Sequence, residues 1–371
     1  MSNEVTVPRL PLVLIVDDDL VTTVTLEALL RDAGLETLRA GNLAEAETLL
    51  HTHPVALVLL DVHLPDGNGL DLCRKLTGAS STPVLFISGD GDVGTKTGGF
   101  AAGGVDYITK PLSGAEVLAR VRTHLRLSAA RESLAALYAE RISRLSAAQQ
   151  SLMPHPEDLP HAAFQVCIRQ ALQAGGDFYD VIPVGGRIVD YVVADASGHD
   201  LGVSLWTASY KTLLAYCVSA VDAPLDTCRS INDSLRRVLP EGAYFTALHA
   251  RLERTAKRLT LVNAGHPPAI LVGGCDGRAR LLEQDGDILG IFADAAFGVL
   301  DIPVQPGDRL YLYTDGLVEM KSSREDGCAR VLDACRRFAG LSLAESVSAI
   351  VEEMCDGCEP QDDIVLLGVE V

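Results

Sequence analysis

Two sets of aspartates in this sequence are typical of sites that handle phosphoryl groups. They are Asp17, Asp18 and Asp61 in the first third of the chain, and Asp177, Asp195, Asp315, Asp362 and Asp363 in the remainder. Most of these residues stand beside glycines or at the ends of apolar runs, and carboxylates are hard oxygen ligands that suit Mg²⁺ or Mn²⁺. The sequence therefore predicts a chain that accepts a phosphoryl group at one place and removes phosphate at another.

The residues around the first set predict a parallel α/β domain over residues 1–122. Apolar runs alternate with helical patterns, at 12–16, 22–33, 43–51, 56–60, 84–88 and 113–126. Such alternation implies right-handed crossovers and a doubly wound (βα)5 sheet, whose ligands bind beyond the carboxyl ends of the strands. The acids, Ser88 and Lys110 fall at such ends, so we expect them to meet at one edge of the sheet.

This set meets the needs of phosphoryl transfer to a carboxylate. Two acids hold a divalent cation, a lysine helps to neutralise the phosphoryl oxygens, and a third acid is the nucleophile. The segments LIVDDD, LLDVHLPDGNG, FISGD and AAGGVDYITKP resemble, in order and spacing, the receiver domain of two-component response regulators. The resemblance implies a sensor histidine kinase as partner. It also implies the roles of single residues: Asp61 as phosphoacceptor, Asp17, Asp18 and Asp61 as Mg²⁺ ligands with the carbonyl of Val62 or His63, and Ser88, Lys110 and Tyr107 as switch residues.

Residues 123–160 predict a helical linker. The stretch 125–152 contains neither Gly nor Pro, and prolines follow at 154 and 156. Apolar side chains recur three, four or seven positions apart, at Leu127, Leu134, Leu137, Tyr138, Ile142, Leu145 and Leu152. The helix either packs on its own domains or pairs two subunits in a parallel coiled coil. We expect the coiled coil and therefore a homodimer.

The remainder, residues 161–371, predicts an α+β layered domain. Strand patterns occur at 187–194, 243–253, 258–263, 268–272, 309–314 and 364–371, and helical patterns at 202–221, 227–238, 328–339 and 344–355. Because the strands and the helices are grouped, a second βαβ series is disfavoured.

Four acidic segments punctuate this domain: AGGDFYD (174–180), VVADASGHD (192–200), LYTDGLVE (312–319) and PQDDIVLL (360–367). Each places a carboxylate next to a strand end or a small residue, so distant positions can converge on one pair of cations. Two cations about 3.5–4 Å apart hold a bridging hydroxide in line with a phosphorus atom. A site made of carboxylates alone disfavours zinc and copper.

Together with QQSLMP, YFTA and NAGHPP, these segments resemble the SpoIIE-type branch of the metal-dependent PPM serine/threonine phosphatases, which includes the Rsb-type regulators of sigma-factor partner switching. The resemblance implies an αββα sandwich and two Mn²⁺ or Mg²⁺ ions. It also implies their ligands: Asp177, Asp195 and the Ala196 carbonyl for one ion, Asp195, Asp315 and Asp362 for the other, and Asp363 at most through a water.

One residue departs from the family pattern, since Asp200 stands where SGHG ends in glycine. Asp200 caps the following helix or perturbs metal affinity, and we favour the cap. His199 and His266 are candidates for a general acid, but we favour loop hydrogen bonding for both.

Composition restricts the partners and the compartment. A net charge of −19 and a pI near 4.8 argue against an output that binds nucleic acid. The N-terminus lacks the features of a signal peptide, no apolar run is long enough for a membrane span, and nine cysteines without an export signal fit reduced thiols. We therefore expect a cytoplasmic protein without a membrane partner.

Together, the two resemblances imply a response regulator whose phosphorylation at Asp61 controls a phosphoserine/phosphothreonine phosphatase. By analogy, its substrate is an anti-sigma-factor antagonist. The alternative is a non-catalytic adaptor with a phosphatase-like domain, although all four principal acids are present. A nucleotide cyclase signature at Gly175-Gly176-Asp177 lacks the expected Glu-Phe. The sequence indicates neither the cognate kinase nor whether phosphorylation raises or lowers activity.

Overall fold

The computed structural model describes residues 10–89, 93–170, 175–198, 202–319, 324–358 and 360–371. The chain forms two compact units that divide between Tyr138 and Ala139, within one helix. None of the helices in these ranges combines the length and apolarity needed to cross a membrane.

The first unit has the parallel α/β fold that the sequence predicts. Its elements are β1 (Leu12–Val16), α1 (Leu20–Asp32), β2 (Glu36–Ala40), α2 (Leu43–Thr52), β3 (Leu57–Asp61), β4 (His63–Leu64), β5 (Gly67–Asn68), α3 (Gly69–Ala79), β6 (Val84–Ser88), α4 (Val93–Ala101), β7 (Asp106–Thr109) and the first part of α5 (Gly114–Gln150), whose last residues belong to the second unit. Parallel pairing gives the main sheet the order β2-β1-β3-β6-β7. Val13 and Ile15 pack into a core on one face, and Leu14 and Val16 into a core on the other. The doubly wound fold is confirmed.

The second unit contains two antiparallel sheets between pairs of helices. Its elements are β8 (Phe164–Arg169), β9 (Phe178–Pro183), β10 (Ile188–Ala196), α6 (Val203–Cys217), α7 (Pro224–Val238), β11 (Phe245–Glu253), β12 (Arg258–Ala264), β13 (Ala269–Val272), β14 (Ala279–Leu282), β15 (Gly298–Pro303), β16 (Arg309–Tyr313), α8 (Arg324–Arg337), α9 (Leu343–Cys355) and β17 (Ile364–Glu370). The sheet orders are β15-β12-β11-β10-β9 and β14-β13-β16-β17-β8.

Strand alternation shows how these layers pack. In β16, Leu310 and Leu312 join a core that is shared with the other sheet and with α6 and α7, whereas Tyr311 and Tyr313 join a second core with α8 and α9. Side chains on a strand alternate between its two faces, so this pattern places one sheet against the other and a helix pair outside each. The predicted αββα sandwich is confirmed.

The structure corrects several predicted elements. The helices predicted separately at 113–126 and 125–152 form one continuous helix, α5, because no residue between them breaks the pattern. The strand predicted at 56–60 is shifted by one residue, so Asp61 is the last residue of β3. The domain boundaries at 122 and 160 stay a prediction.

Candidate functional site

The first unit brings Asp17, Asp61 and Lys110 together at the carboxyl ends of β1, β3 and β7. The Lys110 Nζ atom lies 2.8 Å from Oδ2 of Asp17 and 2.6 Å from Oδ2 of Asp61. Because β1 and β3 are parallel neighbours, the residues that end them share one edge of the sheet. The predicted meeting of two acids and a lysine is therefore found in the structure.

Backbone donors hold the other oxygens of these carboxylates. The Asp19 N–H donates to Oδ1 of Asp17 at 2.9 Å, and the His63 N–H donates to Oδ1 of Asp61 at 3.0 Å. Burial raises the pKa of Asp17, although its bond to Lys110 works in the opposite direction. Burial lowers the pKa of Lys110, but its two carboxylate partners outweigh burial and raise it overall. The lysine is thus held as a cation between the two acids.

The remaining residues predicted for this site differ in their positions. Asp18 is exposed, and Ser88 ends β6, where its carbonyl accepts a hydrogen bond from the Lys110 N–H at 2.8 Å. Tyr107 is buried in the core. The Val62 carbonyl accepts a hydrogen bond from the N–H of Gly69. Gly69 ends the segment LLDVHLPDGNG, and a Cβ atom there would stand 2.2 Å from the backbone oxygen of Asp61, which explains the glycine.

The second unit brings its predicted acids to the ends of strands from both sheets. Asp177 precedes β9, Asp195 lies near the end of β10, Asp315 begins a 3₁₀ turn after β16, and Asp363 precedes β17. Two glycines allow the close approach. A Cβ atom on Gly175 would overlap the Asp363 carboxylate, and one on Gly176 would stand 2.5 Å from the carbonyl oxygen of Ala196.

The raised pKa values of these acids indicate that their negative charges repel one another without enough positive charge nearby to compensate. Burial, followed by the charges of Asp315, Asp362 and Asp363, raises the pKa of Asp195 to about 7. Burial, followed by the charge of Asp195, raises the pKa of Asp177 well above its usual range. Like charges held together in a buried site favour protonation or a bound cation.

The donor set fits a divalent cation. The Oδ2 atom of Asp177 is buried, and it has no hydrogen-bond partner among the residues that the structure describes. Carboxylates and a backbone carbonyl suit Mg²⁺ or Mn²⁺. In the described ranges of either unit, no three His, Cys, Asp or Glu side chains already stand in a metal-binding arrangement. The fit therefore rests on the kind of donors and on the orphaned oxygen.

Asp362 and Asp363 differ in their surroundings. Asp363 is buried and packs against Gly175, whereas Asp362 is exposed and accepts a hydrogen bond from the Asp363 N–H at 2.8 Å. The assignment of Asp362 as the direct ligand stays a prediction. His199 and Asp200 lie outside the described residues.

Two further residues near this site are Thr314, whose role the sequence did not indicate, and His266, for which it predicted hydrogen bonding. The Thr314 hydroxyl accepts a hydrogen bond from the Val365 N–H at 2.9 Å, and its side chain lowers the pKa of Asp177, against the larger effect of burial. His266 links the two sheets, since its Nδ1 lies 2.8 Å from the Thr246 hydroxyl and its Nε2 lies 3.1 Å from the carbonyl of Tyr313. Both ring nitrogens are engaged, which agrees with the expected role of His266 in loop hydrogen bonding.

A family model for Stage II sporulation protein E (SpoIIE) matches residues 186–371, half of the chain. The chain belongs to the SpoIIE family. A second model, the response regulator receiver domain, matches residues 13–122. This SpoIIE-family chain therefore joins a receiver domain to a SpoIIE domain.

Individual relatives resemble parts of this SpoIIE-family chain. The transcriptional regulatory protein AruR of Pseudomonas aeruginosa is 39% identical over 121 residues, covering 31% of this chain and 50% of AruR, so the chain spans about half the length of this curated relative. The structure of the RsbU and RsbW domains of Rv1364c from Mycobacterium tuberculosis matches with a TM-score of 0.51 at 25% identity, covering 56% of this chain and 60% of that one. The SiaA-PP2C domain of Pseudomonas aeruginosa matches with a TM-score of 0.57 at 21% identity, covering 66% of this chain and 99% of that domain, and shows the fold alone.

Proposed function

We propose that this protein is a response regulator whose output is a metal-dependent phosphoserine/phosphothreonine phosphatase. The observation that carries the proposal is the mutual repulsion of neighbouring carboxylates in the SpoIIE domain, together with the buried Oδ2 of Asp177, which has no hydrogen-bond partner among the described residues. A buried carboxylate oxygen without a partner is costly, and a shared cation removes that cost. The Lys110–Asp61 pair supports a phosphoryl-accepting input in the same chain.

At the input, Asp61 attacks the phosphorus atom of a phosphohistidine in a sensor histidine kinase. A carboxylate O–P bond forms while the N–P bond breaks, and the histidine keeps the electron pair. Asp17, Asp18 and Asp61 would hold Mg²⁺, while Lys110 and Ser88 contact phosphoryl oxygens. Tyr107 then follows the change at Ser88 as the second switch residue.

At the output, the acids and one carbonyl would hold two Mn²⁺ or Mg²⁺ ions. The residues concerned are Asp177, Asp195 and Ala196 for one ion and Asp195, Asp315 and Asp362 for the other. When bound, such ions supply a hydroxide at neutral pH and neutralise charge on the phosphate. Thr314 orients Asp177, and Gly175 and Gly176 let the backbone approach closely enough for Asp177 and Asp195 to share an ion.

The biological setting is part of the same proposal. The substrate is a phosphorylated anti-sigma-factor antagonist in a partner-switching pathway in the cytoplasm. Residues 123–160 act as the linker between the receiver domain at 1–122 and the phosphatase domain at 161–371. The linker pairs two subunits through its leucine stripe.

Hydrolysis by the purified chain tests the proposal against the non-catalytic adaptor. With Mn²⁺, we expect the wild type to release phosphate from an aryl phosphate and from a phosphoserine protein. Asp195→Asn and Asp315→Asn should lower the rate by a factor of about 100 or more, since each removes charge from the ion site. The exposed residue Asp294 provides the matched control, and Asp294→Asn should keep the wild-type rate. A wild type without activity, or full activity in both site variants, would reject the proposal.

A further inference from the structure

Gln149 lies one residue before the end of helix α5, and its side chain is only 5% exposed. The next residue, Gln150, is exposed and donates from Nε2 to Oε1 of Gln170 at 3.1 Å. Two consecutive glutamines thus have opposite surroundings. A buried polar side chain at a helix end needs an explanation in terms of what it contacts.

The Gln149 amide joins three elements of the second unit. Its Nε2 donates to the Gly175 carbonyl at 2.9 Å and to the Thr207 hydroxyl in α6 at 3.3 Å. The Thr207 hydroxyl itself donates to the Ser204 carbonyl at 2.9 Å. One amide therefore ties the end of α5 to α6 and to the segment that leads into Asp177.

The segment that Gln149 contacts is clamped on its other side by the ion site. The Gly176 carbonyl accepts a hydrogen bond from the Ala196 N–H at 3.2 Å, and Gly175 packs directly on the Asp363 carboxylate. A shift of this segment moves Asp177 relative to Asp195. Ligand geometry in such sites must be held within about 0.5 Å by the residues behind it.

We propose that Gln149 is a positioning residue for the cation site. Its donated hydrogen bonds keep the Gly175–Gly176 segment where Asp177 and Asp195 can share an ion, so the seating of the C-terminal end of α5 sets the cation affinity of the SpoIIE domain. This inference rests on the proposed phosphatase function. The hydrogen bonds of the Gln149 side chain go to Gly175 and Thr207, which are not among the proposed ion ligands.

The chemistry of the Gln149 side chain separates this role from a purely structural one. Its Oε1 atom is buried and has no hydrogen-bond partner within the described part of the chain. Such an atom opposes folding, whereas the two donated bonds favour it. An apolar side chain of similar size therefore removes one buried atom that lacks a hydrogen-bond partner, Oε1. It also leaves the Gly175 carbonyl without the hydrogen bond from Gln149. The net effect on folding is small, while the restraint on Asp177 is lost.

The test compares Gln149→Met with Gln150→Met in the full-length chain. Calorimetric titration measures Mn²⁺ binding to each variant directly. The binding that the wild type shows and that Asp195→Asn lacks is assigned to the SpoIIE domain. We expect Gln149→Met to weaken Mn²⁺ binding to the SpoIIE domain about tenfold, which corresponds to about 1.4 kcal/mol of binding free energy. Gln150→Met should bind like the wild type. Saturating Mn²⁺ should restore most of the phosphatase rate of Gln149→Met.

Thermal unfolding without added metal supplies the second readout. Trp206 is the single tryptophan and packs on the core of the second unit, so its fluorescence follows the unit that carries Gln149. We expect the unfolding midpoints of Gln149→Met and Gln150→Met to stay within about 4 °C of the wild-type midpoint. Gln149→Leu serves as a second replacement.

Each outcome has a definite meaning. Equal Mn²⁺ binding by wild type and Gln149→Met overturns the positioning role and leaves the phosphatase proposal intact. Unfolding of both Gln149 variants assigns the residue a structural role and also overturns the inference. A wild type that does not bind Mn²⁺ in its SpoIIE domain rejects the proposed function itself.

Discussion

Lys110 and Asp61 form an ion pair at the carboxyl edge of the first sheet, with 2.6 Å between Nζ and Oδ2. The same ammonium group contacts Asp17, so a single cation neutralises part of two acids. A phosphoryl group on Asp61 would bring further negative charge to this edge. Lys110 is therefore placed to change partners when Asp61 is modified.

Chemical phosphorylation should select Asp61. Acetyl phosphate with Mg²⁺ should label the wild type at one site, because Asp61 combines a nucleophilic oxygen with a nearby ammonium group. Intact-mass spectrometry should show the added phosphoryl group in the wild type and in the control Asp71→Asn, which replaces an exposed carboxylate on α3. Asp61→Asn should remain unlabelled, and equal labelling of that variant would disprove the assignment.

Removing Asp190 should destabilise the second unit strongly. Its buried carboxylate accepts from Arg251 Nε at 2.7 Å, from Arg251 Nη2 at 2.8 Å and from His249 Nε2 at 2.8 Å. Asp190→Asn leaves the Arg251 cation without its counter-charge, which costs about 3–5 kcal/mol. Urea unfolding followed by Trp206 fluorescence measures the change.

The exposed residue Asp333 is the control for that experiment. It pairs with Arg336 and Arg337 at the surface, and such pairs contribute about 0–1 kcal/mol. Asp333→Asn should therefore shift the free energy of unfolding little. Equal shifts in Asp190→Asn and Asp333→Asn would show that the buried pair contributes no more than a surface one.

The same cluster predicts how stability depends on pH. Burial lowers the pKa of His249, but the charge and hydrogen bond of Asp190 outweigh burial and raise that pKa to about 9. An unfolded histidine titrates near about 6.5, so the contribution of His249 is fully present below that pH and is lost as the pH rises through about 9. The urea midpoint of the second unit should fall over this range. His249→Gln should flatten the fall, and an unchanged slope in that variant would contradict the assignment.

Charged residues on α5 should dissociate the proposed dimer. Leu134 is 55% exposed and Leu145 is 41% exposed, so each leaves apolar surface that a second helix could cover. We expect light scattering to give a dimer for the wild type and a monomer for the double variant Leu134→Glu with Leu145→Glu. Ser143→Glu adds charge at another exposed position and should keep the dimer. A monomeric wild type would end the coiled-coil hypothesis.

The sequence alone predicted the strands that are apolar along their whole length. The runs at β1, β3 and β6 are buried on both faces and therefore carry an unbroken signal. The sequence analysis missed β2, β8, β9, β14 and β15, all five of which lie at sheet edges. Their pairing depends on neighbouring strands that a local pattern does not contain.

The acids of the second site could be predicted as a group because their segments have characteristic neighbours. Their supports could not. Thr314 and Gln149 are buried polar residues whose partners lie far away in the sequence, and a threonine or glutamine has no distinctive spacing. The buried cluster of Asp190, His249 and Arg251 could not be predicted either, since polar residues on a strand ordinarily indicate an exposed face.

The phosphatase rate of the full-length chain with and without beryllofluoride, a mimic of the phosphoryl group on Asp61, tests the central claim most directly. The variant Asp61→Asn, assayed in the same way, is the control for any direct effect of beryllofluoride on the SpoIIE domain. Coupling between two sites is typically worth about fivefold or more. We predict a change of at least that size in the wild type and none in Asp61→Asn. The same rate in the wild type with and without beryllofluoride, under conditions where Asp61 is modified, would contradict the claim.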